Sequence, residues 1–530
     1  MFGRFRGGLV LIIMAAPLAG CGDGNEAPTG TPALSGPSVT ADGTACDGDL
    51  LTTAPLTHVT GGFEVDYLGD RFSLASGDFN GDGIDDALMG APLADGPGDS
   101  RLNSGEAYII FGAQSLPTEV DAGDYEGFVV YGAAEQDNLG LSVDGADINN
   151  DGIDDILVGA RFASPSGRTN AGETYVIFGR RGLSGTFDMS AGDADVTISG
   201  IETGDFSGIL VAGGDVTGDG VDDILIGAIG AAGPDNTRSR AGEIYAIEGG
   251  DDLPARIDLA EEEPFATIYG AAREDALPGR LAVADLDGNG RNEVIAGAPQ
   301  GTPGGDSDLV GAGLIYAVEL PDGGGAVDLS EDDALLTVRG ASLRASLGYA
   351  LATGDIDGDG VSDLVAAARD ADGLGERNNS GEVYVILGDE DLPSSIDLAS
   401  DQTDARIIGA DRDDSFGFSV AVGDFDGDDR ADIVVGAALA DSCANSRADG
   451  GELYLIPGKE VRGETDLASQ PDTARVYGAE SGDELGFSLA TGDFDGDGLS
   501  EVLAGALLAD GPGNARPDTG EVYIVDVELD

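Results

Sequence analysis

The chain has 530 residues, of which 88 are glycine and 41% hydrophobic, and 100 acidic against 26 basic residues give a formal charge of −74. A surface so acidic repels nucleic acid, whose phosphates need Lys/Arg patches, and attracts cations. The hydrophobic share is too high for a disordered tail.

At the start of the chain, Arg4 and Arg6 precede an apolar run over 9–16 that is too short to span a bilayer. This is the layout of an export signal. It ends in Leu18-Ala19-Gly20-Cys21, which resembles the lipobox of bacterial lipoproteins. The resemblance implies cleavage before Cys21 and lipidation of that residue. The expected organisation is a signal peptide over 1–20, a flexible Gly/Pro/Thr/Ser-rich tether over 21–55, and a folded domain over 56–530. The expected placement is export, with a lipid anchor in a bacterial outer membrane facing the periplasm or the cell surface. Lipid is then the sole membrane contact.

From 56 onward one unit repeats. An Asp-rich nonapeptide begins at Asp78, Asp147, Asp215, Asp285, Asp355, Asp424 and Asp493, with spacings of 69, 68, 70, 70, 69 and 69 residues. Each copy sits between short β-rich segments: in the last unit, 487–492 before the loop, 501–506 and 520–525 after it, and 474–478 upstream. Gly/Asp punctuation and the lack of any sustained helical period predict an all-β fold. Four strands per unit, seven times, predict a seven-bladed β-propeller of four-stranded antiparallel blades. The last unit lacks a fourth strand and 56–60 is a spare one, so the N-terminal strand is expected to complete the last blade and close the ring.

The nonapeptide reads Asp-x-Asp/Asn-x-Asp-Gly-x-x-Asp/Glu. Calcium takes six to eight oxygens, and side chains at positions 1, 3, 5 and 9 with the carbonyl at position 7 supply them. The first three candidate sites are Asp78, Asn80, Asp82, Ile84 and Asp86; Asp147, Asn149, Asp151, Ile153 and Asp155; and Asp215, Thr217, Asp219, Val221 and Asp223. The fourth and fifth are Asp285, Asp287, Asn289, Arg291 and Glu293, and Asp355, Asp357, Asp359, Val361 and Asp363. The last two are Asp424, Asp426, Asp428, Arg430 and Asp432, and Asp493, Asp495, Asp497, Leu499 and Glu501. Up to seven Ca²⁺ are expected, bound most tightly at the last three loops, which carry four carboxylates each. The sixth loop has Asp429 where glycine is expected, a residue that tolerates the left-handed conformation.

Leu139-Gly140, Phe416-Gly417 and Leu485-Gly486 open their units, and Gly90-Ala91-Pro92 and Gly297-Ala298-Pro299 close the second strand. With the acidic loops between them, these resemble the FG-GAP repeats of the integrin α-subunit propeller, over about 56–530. Ala367-Ala368-Arg369 departs from the pattern, and Asp205-Phe206-Ser207-Gly208 shifts the opening of the third unit. By this resemblance, recognition belongs to the face opposite the calcium loops, where the loops at 93–104, 229–240, 370–380 and 439–450 lie.

Six units carry an arginine before the third strand (Arg101, Arg168, Arg238, Arg377, Arg447, Arg516) and a glutamate at its start (Glu106, Glu173, Glu243, Glu382, Glu452, Glu521). The fourth unit has Leu309 and Leu314 instead, so the two are expected to pair within a blade. Cys46 and Cys443 are a possible disulfide, and His58, the one histidine, is expected to be structural. No nucleophile elbow, Cys/His metal cluster or phosphate loop is present. The expected function is a calcium-binding, lipid-anchored binding or cell-adhesion module for protein or glycan ligands, not an enzyme. The alternatives are a carbohydrate-active propeller enzyme and a structural component of a surface assembly.

Overall fold

The computed structural model describes residues 56–530 apart from 126, 332–333, 376, 401–402, 446, 471–472, 512–513, 528 and 530. The expected signal peptide and tether, with Cys21 and Cys46, lie outside the described residues.

Each repeat folds as an up-and-down sheet. In the first unit an inner strand, Leu74–Gly77, runs into the acidic loop, followed by Asp86–Ala91, Glu106–Ile110 and the outer strand Phe128–Tyr131. Neighbours pair antiparallel throughout. The second strand is buried at all six positions in every blade. It is pressed between blades on both faces, so its sequence is a continuous apolar or small run and not an alternating one. The fold is a seven-bladed all-β propeller.

The blades are not four-stranded. Six of the seven sheets have five strands among the described residues, and only the sixth blade has four. The additional strand comes from the following unit and lies parallel to the outer strand. Gly185–Asp188 pairs with Phe128–Tyr131, and Arg256–Asp258 with Val196–Ser199. These strands are three or four residues long and partly exposed, so they carry no periodic signal. They form because the connection after each third strand crosses back over its neighbour and covers an otherwise bare edge.

In the seventh blade, Thr57–Thr60 pairs antiparallel with Glu521–Val525, and Glu119–Asp121 lies alongside it. Each inner strand packs on the next at all seven junctions, including Leu485–Gly492 against Leu74–Gly77. The buried apolar side chains form seven clusters, one per junction; Phe79, Leu88 and Ile109 of the first blade, for example, meet Val143, Ile156 and Val158 of the second.

The glycines of the repeat motif make this packing possible. A Cβ on Gly90 would lie 1.9 Å from the carbonyl oxygen of Gly140 in the next blade, and one on Gly159 2.0 Å from that of Gly208. The second-strand glycine of one unit therefore faces the opening glycine of its neighbour, backbone against backbone.

The arginines do not pair with the glutamates of their own blades. Arg101 binds Asp188, Arg168 Asp258, Arg238 Asp328, Arg377 Asp466 and Arg516 Asp121, at 2.5–2.7 Å. Each of these aspartates ends a donated fifth strand, so the arginine clamps the neighbour's strand onto its own blade. In the four-stranded sixth blade, Arg447 donates to the carbonyl of Gly478 at 2.6 Å. The glutamates accept from the tyrosine two residues on, as in Tyr175–Glu173 at 2.7 Å and Tyr245–Glu243 at 3.0 Å. His58 stacks on Tyr523 with centroids 4.7 Å apart, its Nε2 3.2 Å from Glu521. Among the described residues no helix is long and apolar enough to cross a membrane.

Candidate metal centres

The first aspartate of each loop folds it. Asp355 accepts from the N–H groups of Gly358, Asp359 and Gly360 at 2.7–3.0 Å, and Asp493 makes the equivalent set. Position 5 accepts from the N–H of position 7 in all seven loops, at 2.8–3.1 Å. The turn needs a left-handed residue at position 6. Glycine supplies it in six loops with φ between 84° and 94°, and Asp429 adopts φ 64° in the sixth.

Position 9 is the buried floor. Asp86, Asp155, Asp223 and Asp363 each accept from a glycine N–H just beyond the third strand, at 2.8–3.0 Å. Burial holds these carboxyls above their usual range, helped at Asp86, Asp155 and Asp363 by acidic neighbours in the same loop. Asp86 and Asp155 are raised to about 7, Asp363 and Asp432 to about 6, and Glu501 to about 8. For Glu501 the repelling charges are Asp495, Asp493 and Asp497.

Four loops bring their carboxylates to one point. Asp493, Asp495, Asp497 and Glu501 place ligand atoms within 4.8 Å of one another, as do Asp285, Asp287 and Glu293; Asp355, Asp357 and Asp359; and Asp424, Asp426 and Asp432. An all-oxygen donor set of this charge, crowded enough to push its floor carboxylate up, suits a hard divalent cation. The fourth loop joins the group although it carries only three carboxylates, because its neutral residue, Asn289, is at position 5 and leaves carboxylates at positions 1, 3 and 9. In the first two loops the neutral residue engages the floor instead: Asn80 and Asn149 donate side-chain N–H to Asp86 and Asp155 at 3.0 Å. Among the described residues those loops and the third form no group of three. Arg291 turns its side chain to Glu319 and Asp322, at 2.9 and 3.0 Å.

The loops are also laced to one another, which the spacing did not reveal. The carbonyl of Asp355 accepts from the N–H of Ala431 at 2.8 Å, and that of Asp424 from Ser500 at 2.9 Å. Where position 8 is acidic, its carboxylate reaches the preceding loop: Asp154 accepts from the N–H of Asp78 at 2.9 Å, and Asp85 from that of Asp493 at 3.0 Å. The signal was present as Asp-Asp in three copies, but position 8 has no place in a ligand set.

A second set of buried aspartates lies at the other end of the inner strands. Asp66, Asp137, Asp205, Asp275 and Asp483 each accept from the N–H three residues back, at 2.7–3.0 Å, and shape the turn into the inner strand. On that side a cleft of about 750 Å³ opens between the loops of the third, fourth and fifth units, lined in part by Glu274, Gln300, Val310, Arg344 and Asn379.

Comparison with known proteins fits this architecture. The FG-GAP repeat model matches residues 72–110, 139–177, 278–318, 347–386, 416–456 and 485–525. The unmatched third unit is the one with the shifted opening. The chain is 26% identical over 435 residues to phosphatidylinositol-glycan-specific phospholipase D of Bos taurus, covering 77% of this chain and 49% of the relative. It is 23% identical over 399 residues to the protein of that name from Dictyostelium discoideum, covering 72% and 40%. It is 28% identical over 248 residues to integrin alpha pat-2 of Caenorhabditis elegans, covering 44% and 18%. The chain thus spans half or less of the length of these relatives. The expectation of a non-enzyme is overturned, since the relatives that share most of the chain are named as an enzyme; a repeated carboxylate pattern describes the scaffold and does not exclude catalysis by the protein it belongs to. The chain carries six FG-GAP repeats and is homologous to the N-terminal propeller regions of integrin α-subunits.

Proposed function

We propose that this propeller is a calcium-loaded recognition module, with cations in the acidic loops on one face and a protein or glycan ligand bound on the other. The convergence of Asp493, Asp495, Asp497 and Glu501 on one point, with Glu501 pushed up by burial and then by its neighbours, carries the cation half of this reading. Each bound Ca²⁺ relieves that repulsion and ties the loop to its blade floor. The cleft lined by Glu274, Arg344 and Asn379 supports the ligand half. The proposal includes export and a lipid anchor at Cys21 in a bacterial outer membrane, with Cys46 and Cys443 as a candidate disulfide; Cys443 lies in the one-turn helix Ser442–Asn445.

The relatives named phosphatidylinositol-glycan-specific phospholipase D favour a second ligand class, a glycosylated phosphoinositide. The test is binding of the purified chain to protein, glycan and phosphatidylinositol-glycan arrays, with and without a calcium chelator. Calcium-dependent capture by one class selects between the readings. Metal analysis that finds no bound calcium, or capture unaffected by chelation, refutes the cation-dependent module. Mass spectrometry of the mature protein tests acylation at Cys21, and thiol counting tests the disulfide.

A further inference from the structure

In a chain with only 26 basic residues, four arginines meet at the mouth of the propeller axis, on the face away from the acidic loops. Arg71 precedes the inner strand Leu74–Gly77, and Arg280 opens the inner strand Arg280–Ala284. Arg161 and Arg369 directly follow the second strands Asp155–Ala160 and Asp363–Ala368. The guanidinium carbons of Arg71 and Arg369 both lie 3.6 Å from the ring centre of Tyr349. Arg71 is also 4.4 Å from Phe72, and Arg369 is 4.7 Å from Phe418. Like charges are thus gathered around aromatic faces, which make the crowding tolerable.

Counter-charge reaches the cluster only at a distance: Asp70 acts on Arg71 and Arg161, and Asp144 on Arg280, without a direct ion pair. Arg71, Arg161 and Arg280 form no side-chain hydrogen bond or ion pair among the described residues, and the buried Nε atoms of Arg71 and Arg161 have no partner. Each of those carboxylates takes a backbone hydrogen bond, Asp70 from the N–H of Arg71 at 2.6 Å and Asp144 from that of Gly213 at 2.9 Å. Only Arg369 has an acidic contact, its Nε 3.5 Å from Asp370. Burial and the adjacent Arg369 and Arg280 push the Arg71 guanidinium down to about 10. Between Arg71, Arg280, Tyr349, Phe418 and Ser419 is a cavity of about 10 Å³, open at one side and large enough for one water-sized group.

We propose that this mouth is an oxyanion site for a phosphate group, one oxygen entering the cavity while the others meet the forks of Arg71, Arg280 and Arg369. Guanidinium forks approaching from several blades suit a tetrahedral phosphate better than a planar carboxylate, which presents two oxygens to one or two forks. The site is independent of the cation loops and of the ligand reading given above. The phosphate is either free or part of a lipid headgroup.

The test is calorimetric titration of the calcium-loaded chain with inorganic phosphate at fixed ionic strength, beside flotation with phosphatidylcholine vesicles with and without phosphatidylinositol. Phosphate is expected to bind and to raise the melting temperature. Vesicle capture in addition assigns the site to a headgroup, and its absence assigns it to free phosphate. Arg71→Gln and Arg280→Gln are each expected to weaken binding by at least about tenfold. Without phosphate and at low salt, Arg71→Gln is expected to melt no lower than the parent, because it removes an unpaired charge from a repelling set. If Arg71→Gln does not fold, Arg280→Gln alone decides. Absence of phosphate binding, or binding undiminished in the folded variant, overturns the proposal.

Discussion

Arg516 offers the sharpest test of how the ring is held. Its guanidinium donates to both oxygens of Asp121, at 2.7 and 2.5 Å, and to the carbonyl of Gly61 at 2.8 Å. It therefore ties the seventh blade to a strand donated by the first unit. The two ionic side chains are 29% and 34% exposed, which places the pair at the upper end of the range for solvent-screened bridges, about 1 kcal/mol. Losing the bond to Gly61 adds about 1 kcal/mol. Arg516→Ala should then cost about 2 kcal/mol, with about half of it appearing as coupling to Asp121. At about 2 cal/mol/K per residue the unfolding entropy of this chain is about 1 kcal/mol/K, so the melting point moves only about 2 °C. Equilibrium urea unfolding of Arg516→Ala, Asp121→Ala and the double variant, at constant calcium, is the better assay. Coupling larger to Glu521 than to Asp121 would show that the arginine braces its own blade and refute the clamp.

Chelation should lower the melting temperature, because each loop saturated at a hundredfold excess over Kd contributes about 2.7 kcal/mol. Glu501→Gln should remove one bound ion by metal analysis, and unchanged stoichiometry counts against a centre there. Burial raises Asp414 to about 8 and Asp66 and Glu484 to about 7, so these carboxyls hold protons in the folded chain that the unfolded chain has released. Calcium-free protein should therefore lose stability as pH rises from about 4 to about 8, and calorimetry showing a rise across that window contradicts the assignment. Gly90→Ala drives a methyl into the Gly140 carbonyl and should cost about 3 kcal/mol or more; near-parental unfolding would mean that the junction is looser than described.

The repeat period and the apolar second strand made the blade count legible, because seven copies of one pattern bury their faces in only a few ways. The loops were legible to the level of ligand type. Their convergence was not: the number of carboxylates does not order the loops, since Asp285, Asp287 and Glu293 converge in a three-carboxylate loop while Asn80 and Asn149 turn to the floor carboxylate. The donated strands escaped notice because Glu119–Asp121 is too short to show a period. The arginine–glutamate covariation is real but does not mark a contact. Arg168 and Glu173 share a blade, but one holds a neighbour's strand and the other a tyrosine. Arginines at the axis mouth had no sevenfold repeat to mark them: Arg161 and Arg369 share the position after the second strand, where Pro92 and Pro299 stand in other units, and Arg71 and Arg280 occupy two further positions.

The borrowed strand makes the repeats interdependent. A nick in the 178–195 connection interrupts the path from third to outer strand in one blade and unloads the flank of the blade before it. Damage should thus spread around the circumference, and excising a single repeat should leave one neighbour bare and another strand homeless. Such a molecule tolerates changes in its loops far more readily than changes in its number of units.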